Sequence, residues 1–224
     1  MDKNPIRSHY DDKLNHIKEQ LVYMAGLVEK SVEDAVKSLI TSDSDLAKKV
    51  IEGDDEIDLL ELKIEDESIK LLALRQPAAR DLRFITTAIK INAHLERIAD
   101  MAGNIAERAI KLSTQPPIKP YIDIPHMARI TQWMIKTSLD AFINEDPALA
   151  EKVRNEDQKI DKLNEQVFRE LITFMMEDPK TITRAIYIMG ISKNLERIAD
   201  HAETIAEMVV YMVTGKSVRH QREK

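Results

Sequence analysis

The 224-residue chain contains no cysteine, only five glycines and few aromatic residues, which make up 4% of the sequence. Without cysteine there can be no disulfide and no thiolate ligand, so oxygen or imidazole would have to hold any metal ion. Aromatic residues are enriched in strands, and their scarcity favours long helices over sheets.

Two further absences narrow the classes of function. No segment approaches ~18 consecutive apolar residues, and no apolar stretch follows the charges of the N-terminus, so we expect neither secretion nor membrane insertion. The net charge of −6 lacks the basic footprint of a nucleic-acid-binding protein. The 43% hydrophobic content is enough for a buried core, and we expect a folded cytoplasmic protein.

The chain contains an internal duplication. "LERIADMAGNIAE" (Leu95 to Glu107) and "LERIADHAETIAE" (Leu195 to Glu207) share ten of thirteen positions at a spacing of one hundred residues. "DSDLAKKVIEGDDEIDLL" (Asp43 to Leu60) and "DPALAEKVRNEDQKIDKL" (Asp146 to Leu163) share nine of eighteen positions at an offset of 103. Repeats of this kind predict two similar halves.

Each half shows apolar residues at helical spacing and reads as three long helices. Asp146-Pro147 predicts a helix start, "TSDSD" supplies a cap, Pro77 and Pro179 mark breaks, and Gly215 closes the last helix. We therefore predict an all-α fold, a tandem repeat of two antiparallel three-helix bundles. The predicted segments are a first bundle (1–113), a proline-rich linker (114–125), a second bundle (126–215) and a polar tail (216–224).

Acidic residues form a stripe beside the buried face of the last helix of each half. With Leu95 at zero and ~100° per residue, Ala99, Ala102 and Ala106 fall within about 80°, whereas Glu96, Asp100 and Glu107 fall between about 100° and 140°. The middle helix of each half carries a second pair, Asp-x-x-x-Asp. Acids four residues apart destabilise an isolated helix by ~0.2–0.5 kcal/mol per pair, so something should compensate for the repulsion.

The acidic pairs have several interpretations. Two facing pairs per half offer an all-oxygen site for hard cations such as Mg, Ca, Mn or Fe. Alternatively, the acids pair with Arg97, Arg108 and Arg197, or bind a basic partner directly on a helical scaffold. A ferritin-like di-iron enzyme would need Glu-x-x-His, which is absent, and no phosphate loop or recognisable nucleophile is present. A metal-dependent hydrolase is the remaining rival, and we expect a protein that is not an enzyme.

The segment "RQPAARDLRFITTAIKINAHLERIADMAGNIAE" (Arg75 to Glu107) resembles the PhoU family of bacterial phosphate-uptake regulators. The resemblance covers essentially the whole chain, since that family is also a tandem of three-helix bundles with a Glu/Asp-x-x-x-Asp motif in each half. It implies metal ions, of iron, zinc, manganese or magnesium, on eight carboxylates: Asp54, Asp58, Glu96, Asp100, Asp157, Asp161, Glu196 and Asp200. Four further residues are weaker candidates that helical phase alone supports: Asn104, Glu107, Glu203 and Glu207.

The resemblance also implies a role and partners. Members of this family look like negative regulators that link the ATPase subunit of the phosphate ABC transporter to a sensor histidine kinase when phosphate is plentiful. It implies a homodimer located in the cytoplasm, held at the inner face of the membrane through its partners. Symmetric use of the two halves is not implied, because "EDPKTITRAIYIM" keeps only Pro179 and Arg184 of the lead-in.

Overall fold

The computed structural model describes residues 5–74, 77 and 79–218, and within those ranges every regular element is helical. The helices are α1 Pro5–Thr41, α2 Ser44–Glu52, α3 Asp54–Leu74, α4 Ala79–Ser113, α5 Asp123–Asn144, α6 Pro147–Glu177 and α7 Ile182–Thr214. A short 3-10 turn, Pro179–Thr181, leads into α7. The predicted all-α class is confirmed, while Arg75 and Gln76 of the quoted segment lie outside the described residues.

The predicted helix ends are confirmed by their capping contacts. The Asp43 carboxylate accepts the N–H groups of Asp45 and Leu46 at 3.1 and 2.9 Å and begins α2. Asp146 does the same for α6, whose first turn contains Pro147. Such caps stabilise a helix by ~1 kcal/mol. Gly215 has a φ of +71° and ends α7 in the left-handed conformation that glycine adopts without strain.

The middle helix of the first half differs from the expected single long helix. It is divided at Gly53 into α2 and α3, whereas α6 runs unbroken through the equivalent position, Glu156. A glycine inside a helix costs ~1 kcal/mol relative to alanine, which weakens the helix at this point. As a result Asp54 is the first residue of α3, while its counterpart Asp157 lies well inside α6.

The two repeats share one core. Helices α1, α4, α7 and α5 pack in a ring, with α1 and α7 each contacting both α4 and α5. The α2–α3 arm lies against α1 and α4, and α6 lies against α5 and α7. The buried apolar side chains form a single cluster that runs through both repeats. The two three-helix units are therefore fused through their inner helices.

Helix α4 of the first repeat packs against α7 of the second in antiparallel orientation. Arg83 Nε donates to the Met212 carbonyl at 3.0 Å, and His94 Nδ1 lies 2.7 Å from His201 Nδ1. Further along, the Arg108 side chain lies over Gly190, where an added Cβ would stand 2.5 Å from Arg108 Nε. A side chain at that position would displace Arg108. None of the described helices combines the length and apolarity that a bilayer crossing needs.

Two glycines provide a matched test of this packing. Gly26 lies on the exposed side of α1 with open space where a Cβ would be, so Gly26→Ala is expected to stabilise the protein by about 1 kcal/mol. Gly190→Ala gains the same helix propensity but displaces Arg108, and we expect no net gain or a loss. Urea unfolding of both variants measures the difference, and an equal gain at the two positions would contradict the close α4–α7 contact.

Candidate functional site

A buried polar contact in each repeat sets the register of the two helices that carry the acids. Asn92 of α4 is fully buried and donates to the Glu61 carbonyl of α3 at 2.8 Å. At the equivalent place Ser192 of α7, 1% exposed, donates to Asn164 Oδ1 of α6 at 2.7 Å. Buried donors are costly when unpaired, so these contacts favour one alignment of each antiparallel pair.

In the first repeat this alignment brings together the four predicted acids, Asp54, Asp58, Glu96 and Asp100. The pKa of Asp54 is raised to about 6, first by burial and then by the neighbouring carboxylates of Asp58 and Asp100. Burial also raises the pKa of Glu96, with contributions from Asp100 and Asp58 across the helix pair. The acids of α3 and α4 therefore face one another, and the Arg97 guanidinium offsets part of the rise in the pKa of Glu96.

One further carboxylate belongs to this first cluster. Burial raises the pKa of Glu61, as do the neighbouring charges of Glu65 and Asp58, and Glu61 in turn raises the pKa of Glu96. The sequence signal was its spacing of three residues after Asp58. Its counterpart in the second repeat is Asn164, so Glu61 is not among the acids that the two repeats have in common.

The second repeat brings its four predicted acids together in the same way. The pKa of Asp200 is raised to about 6, first by burial and then by the charges of Glu196, Asp157 and Asp161. One ammonium lies among them, because Lys193 Nζ is 2.6 Å from Glu196 Oε1 and 2.5 Å from Oε2. The acids of the two clusters thus lie at equivalent positions of the repeats. The clusters differ in charge, because a lysine is bound to one acid of the second.

One residue of the second cluster differs from the expected placement. Helical phase puts the acids beside the core, yet Asp157 is 1% exposed and counts among the buried residues of α6. Asp54, at the start of α3, is only half-buried. The two acids also differ in their position along the helix, because Asp54 begins α3 after the break at Gly53, whereas α6 continues past Asp157.

The weaker candidates lie at the edge of the clusters. Asn104 Nδ2 donates to the Asp100 carbonyl of its own helix at 2.9 Å, so its amide is engaged locally. Glu107 is exposed, two turns beyond Asp100, and Glu203 is half-buried, one turn beyond Asp200. Glu207 Oε1 lies 3.9 Å from Arg154 Nη2 of α6. The described contacts therefore place Asn104 and Glu207 with other partners.

The three arginines of the alternative interpretation have different surroundings, and Arg97 lies close enough to Glu96 to lower its pKa. Arg108 Nη1 donates to the Asn104 carbonyl at 2.7 Å. Burial lowers the pKa of His201, and the guanidinium groups of Arg97 and Arg197 lower it further, so both lie near that histidine. The contact between His94 and His201 was not predicted, because the two occupy non-equivalent positions in the repeat and only the α4–α7 crossing brings them together.

The carboxylate oxygens of the clusters are suitable ligands for a hard cation, but the arrangement of the side chains is less suitable. Clustered carboxylates with raised pKa values are the oxygen ligands that such ions prefer, and a cation would relieve the repulsion. Even so, within residues 5–74, 77 and 79–218 no three acidic or histidine side chains are arranged to hold a metal ion. Coordination would require side-chain rotation within a cluster or additional oxygen ligands.

Comparison with known proteins shows which family has this sequence and architecture. The PhoU domain family model matches residues 21–109 and 124–209. The phosphate-specific transport system accessory protein PhoU homolog of Pseudomonas aeruginosa is 43% identical over 216 residues, covering 96% of this chain and 89% of that protein. The crystal structure of PhoU from Pseudomonas aeruginosa superimposes with a TM-score of 0.89 at 43% identity, covering 92% of this chain and 100% of that chain.

A second crystal structure, of a protein with lower sequence identity, has the same fold. The crystal structure of the phosphate transport system regulatory protein PhoU from Streptococcus pneumoniae gives a TM-score of 0.86 at 27% identity, covering 93% of this chain and 99% of that chain. Fold and site define an all-α protein of two repeats with a carboxylate cluster on each. The chain belongs to the PhoU family and is a homologue of regulatory and accessory proteins of phosphate transport. The expectation that it is not an enzyme is confirmed by these relatives.

The raised pKa of Asp200 predicts a pH-dependent stability in the presence of a chelator. Its pKa is about 6 in the folded protein against an ordinary value of 3.8, so the folded state holds this proton more tightly. Ionised Asp200 therefore destabilises the fold above pH 6, and the effect disappears as the pH falls towards 4. Asp200→Asn is expected to raise the Tm at about pH 7.5 and to have little effect at about pH 4.5.

Thermal unfolding followed by circular dichroism at several pH values tests this expectation. Asp12→Asn, on the exposed side of α1, controls for the loss of one surface carboxylate. A gain for Asp200→Asn that does not change with pH would show that repulsion within the second cluster is not its cause.

Proposed function

We propose that this chain is a negative regulator of phosphate uptake and of the phosphate-starvation response. It acts as an adaptor between the ATPase subunit of a phosphate ABC transporter and a sensor histidine kinase. The observation that carries the proposal is the repeated carboxylate cluster on a two-repeat helical protein of the PhoU family. The chain works at the cytoplasmic face of the membrane through these partners, and it forms a homodimer.

The two repeats suit an adaptor because each presents a separate outer surface on a shared core. The arm α2–α3 lies on one side of the inner ring and α6 on the other, so two proteins can be engaged at once. The fused core keeps the two surfaces in a fixed relation. Coupling between partners then needs only that the charge state of a cluster alters the affinity of its surface.

The carboxylates are the residues that would hold metal ions, of iron, zinc, manganese or magnesium. Asp54, Asp58, Glu96 and Asp100, with Glu61 beside them, form one set, and the four acids of α6 and α7 form the other. A bound cation supplies positive charge that offsets the repulsion among the acids. Because the clusters lie on the surfaces available to partners, metal occupancy changes the local charge that a partner meets.

A second candidate function uses the same surfaces without metal. The lack of a ready three-ligand arrangement among the described residues favours a helical scaffold whose acidic stripes bind a basic partner directly. The two functions differ in one measurable respect. Partner binding by the scaffold is unaffected by chelator and weakens with salt, whereas binding by the metal-dependent adaptor changes with metal content.

Glu96→Ala combined with Asp100→Ala is expected to lower the metal bound per chain without unfolding the protein. The two substitutions remove like charges four residues apart, which should stabilise the metal-free form by ~0.2–0.5 kcal/mol. Elemental analysis of protein purified without chelator or nickel resin gives the metal content, and circular dichroism checks the fold. Glu29→Ala with Glu33→Ala is the matched control, because these acids have the same spacing on α1 but lie outside both clusters.

Unchanged metal stoichiometry in the Glu96→Ala, Asp100→Ala protein would count against the first cluster as a metal site. A loss of metal in the control pair as well would show that the effect is not specific to the cluster.

Deletion of the gene is expected to activate phosphate-starvation genes at high phosphate, through loss of restraint on the sensor kinase. A reporter of a starvation promoter measures this, and the wild-type gene in trans should restore repression. Membrane fractionation in strains with and without the transporter and kinase tests recruitment. Normal repression in the deletion strain refutes the regulatory role, and membrane recovery without both partners refutes recruitment through them.

A further inference from the structure

A cavity of about 430 Å³ lies between α4 and the C-terminal part of α7. The eight predicted metal-binding acids, all within the described part of the chain, do not line it. Small-molecule sites in proteins usually have volumes of ~300–1,000 Å³, so the size of this cavity suits a small ligand. We call it the α4–α7 cavity, and its walls are Lys90 and His94 of α4, Glu207, Met208 and Tyr211 of α7, and Ser217.

The segment that follows α7 forms the third wall of the cavity. Gly215, with a φ of +71°, ends α7 and turns the chain, and Ser217 then lines the cavity. The Lys216 N–H donates to Thr214 Oγ1 at 3.1 Å, and Val218 packs against the core. These contacts fix the segment on the helices, so the cavity is built into the fold.

Positive charge lies along α4 at the edge of the cavity. At ~100° per residue, Lys90, His94 and Arg97 fall within about 60° of one another on three successive turns. Lys90 and Arg97 are exposed, and among residues 5–74, 77 and 79–218 neither forms an ion pair with a carboxylate. The two are ~10.5 Å apart along the helix axis, so both long side chains can reach an anion placed between them.

The opposite wall of the cavity is apolar and aromatic. It consists of the Met208 thioether and the ring of Tyr211, which is 43% exposed. Thioethers and aromatic rings both pack favourably against the ring of a ligand. Ammonium and guanidinium groups donate charge-assisted hydrogen bonds to phosphate oxygens. The cavity therefore suits a ligand with a phosphate group at one end and a ring at the other.

The acids of this region do not prevent a phosphate from binding at α4. Glu207 Oε1 lies 3.9 Å from Arg154 Nη2, whose positive charge offsets that of the carboxylate. Glu96 and Asp100 lie about 80–120° from Lys90 around α4, on the side that faces α3. Repulsion between charges this far apart on the surface is screened at physiological salt. The phosphate end of a ligand is thus best placed beside the cations of α4.

The equivalent place in the other half of the α4–α7 contact is closed by the chain itself. Gly190 stands at the position equivalent to Lys90, and Arg108 at the position equivalent to Met208. The Arg108 side chain lies over Gly190 and takes the space that a side chain there would need. The same helix contact is therefore formed with a filled site at one end and an open one at the other, so helix packing does not require the cavity.

We infer that the α4–α7 cavity binds a phosphate monoester that carries an aromatic ring, such as a nucleoside monophosphate, with its phosphate at Lys90 and Arg97 and its ring against Met208 and Tyr211. Binding here does not depend on the proposed adaptor function, because it is a property of the chain alone. It is also separate from metal binding, since the ligand uses other residues.

Two other ligands match the cavity less well. Inorganic phosphate satisfies the cations of α4 but leaves Met208 and Tyr211 uncovered. An acidic peptide brings several carboxylates towards Glu207 and the acids of α7, where like charges oppose association. A monoester has its charge at one end only and covers both walls.

Isothermal titration calorimetry of the purified chain, with chelator present, tests the inference with AMP, UMP, adenosine and inorganic phosphate. We expect at least one monophosphate to bind about tenfold more tightly than adenosine or inorganic phosphate, each of which lacks one half of the ligand. Lys90→Ala should weaken monophosphate binding about tenfold, because it removes a charge-assisted hydrogen bond. Met208→Trp should abolish binding by filling the cavity.

Two matched controls should bind as the wild type does. Lys37→Ala removes an exposed lysine of α1, and Met176→Trp adds the same bulk at a methionine of α6 that is 80% exposed. Circular dichroism checks that each variant is folded. Cross-linking of wild-type protein with 8-azido-AMP needs no variant, and the labelled peptide should contain Met208 or Tyr211.

Inorganic phosphate that binds as tightly as the monophosphates overturns the inference, as does a lack of binding by both monophosphates or an unchanged affinity in Lys90→Ala. Failure of the proposed function has a different result. Normal repression in the deletion strain, together with monophosphate binding that depends on Lys90, supports the site and refutes the regulatory role.

Discussion

The antiparallel contact of α4 with α7 is the constraint on which the rest of the molecule depends. Together with the contact of α1 with α5, it joins the two repeats, and the apolar residues of both form one core. Along this contact Arg83 binds the Met212 carbonyl, His94 meets His201, and the Arg108 side chain lies against Gly190. With the inner helices fixed, the α2–α3 arm and α6 can only pack on the outside, and their acids face the acids of α4 and α7.

Repulsion within the carboxylate clusters lowers the stability of the fold locally, and the shared core offsets this loss. Each places four or five acids close together and partly buries them, and burial together with the neighbouring charges raises the pKa of Asp54 and of Asp200 to about 6. The buried contacts from Asn92 and Ser192 hold the helices in the register that produces this repulsion. A sequence under selection for stability alone would not keep such an arrangement in both repeats. Conflicts between local energetics and fold occur where a protein has a function.

Much of the fold could be predicted because its signals are periodic or local. The spacing of the apolar residues and the caps at Asp43 and Asp146 predict where the helices lie. The duplicated acids have the same helical phase relative to the buried face in both repeats. What the sequence did not predict depends on contacts between distant segments. The His94–His201 contact needs the crossing of α4 with α7, and Glu61 joins its cluster through the alignment of α3 with α4. The burial of Asp157 was not predicted either, because its helical phase alone put it beside the core and not within it.

Duplication explains the sites of this protein, and divergence explains their difference. Two copies of one helical unit give two outer grooves of the same backbone geometry, each with the acids at the same place. Substitution at an exposed position then changes the chemistry of one surface while the shared apolar core stays in place. Glu65 in the first repeat and Phe168 at the equivalent position of the second are such a substitution. Lys193, which binds Glu196 where the first repeat has Ala93, is another, so the two surfaces have kept their geometry and changed their charge.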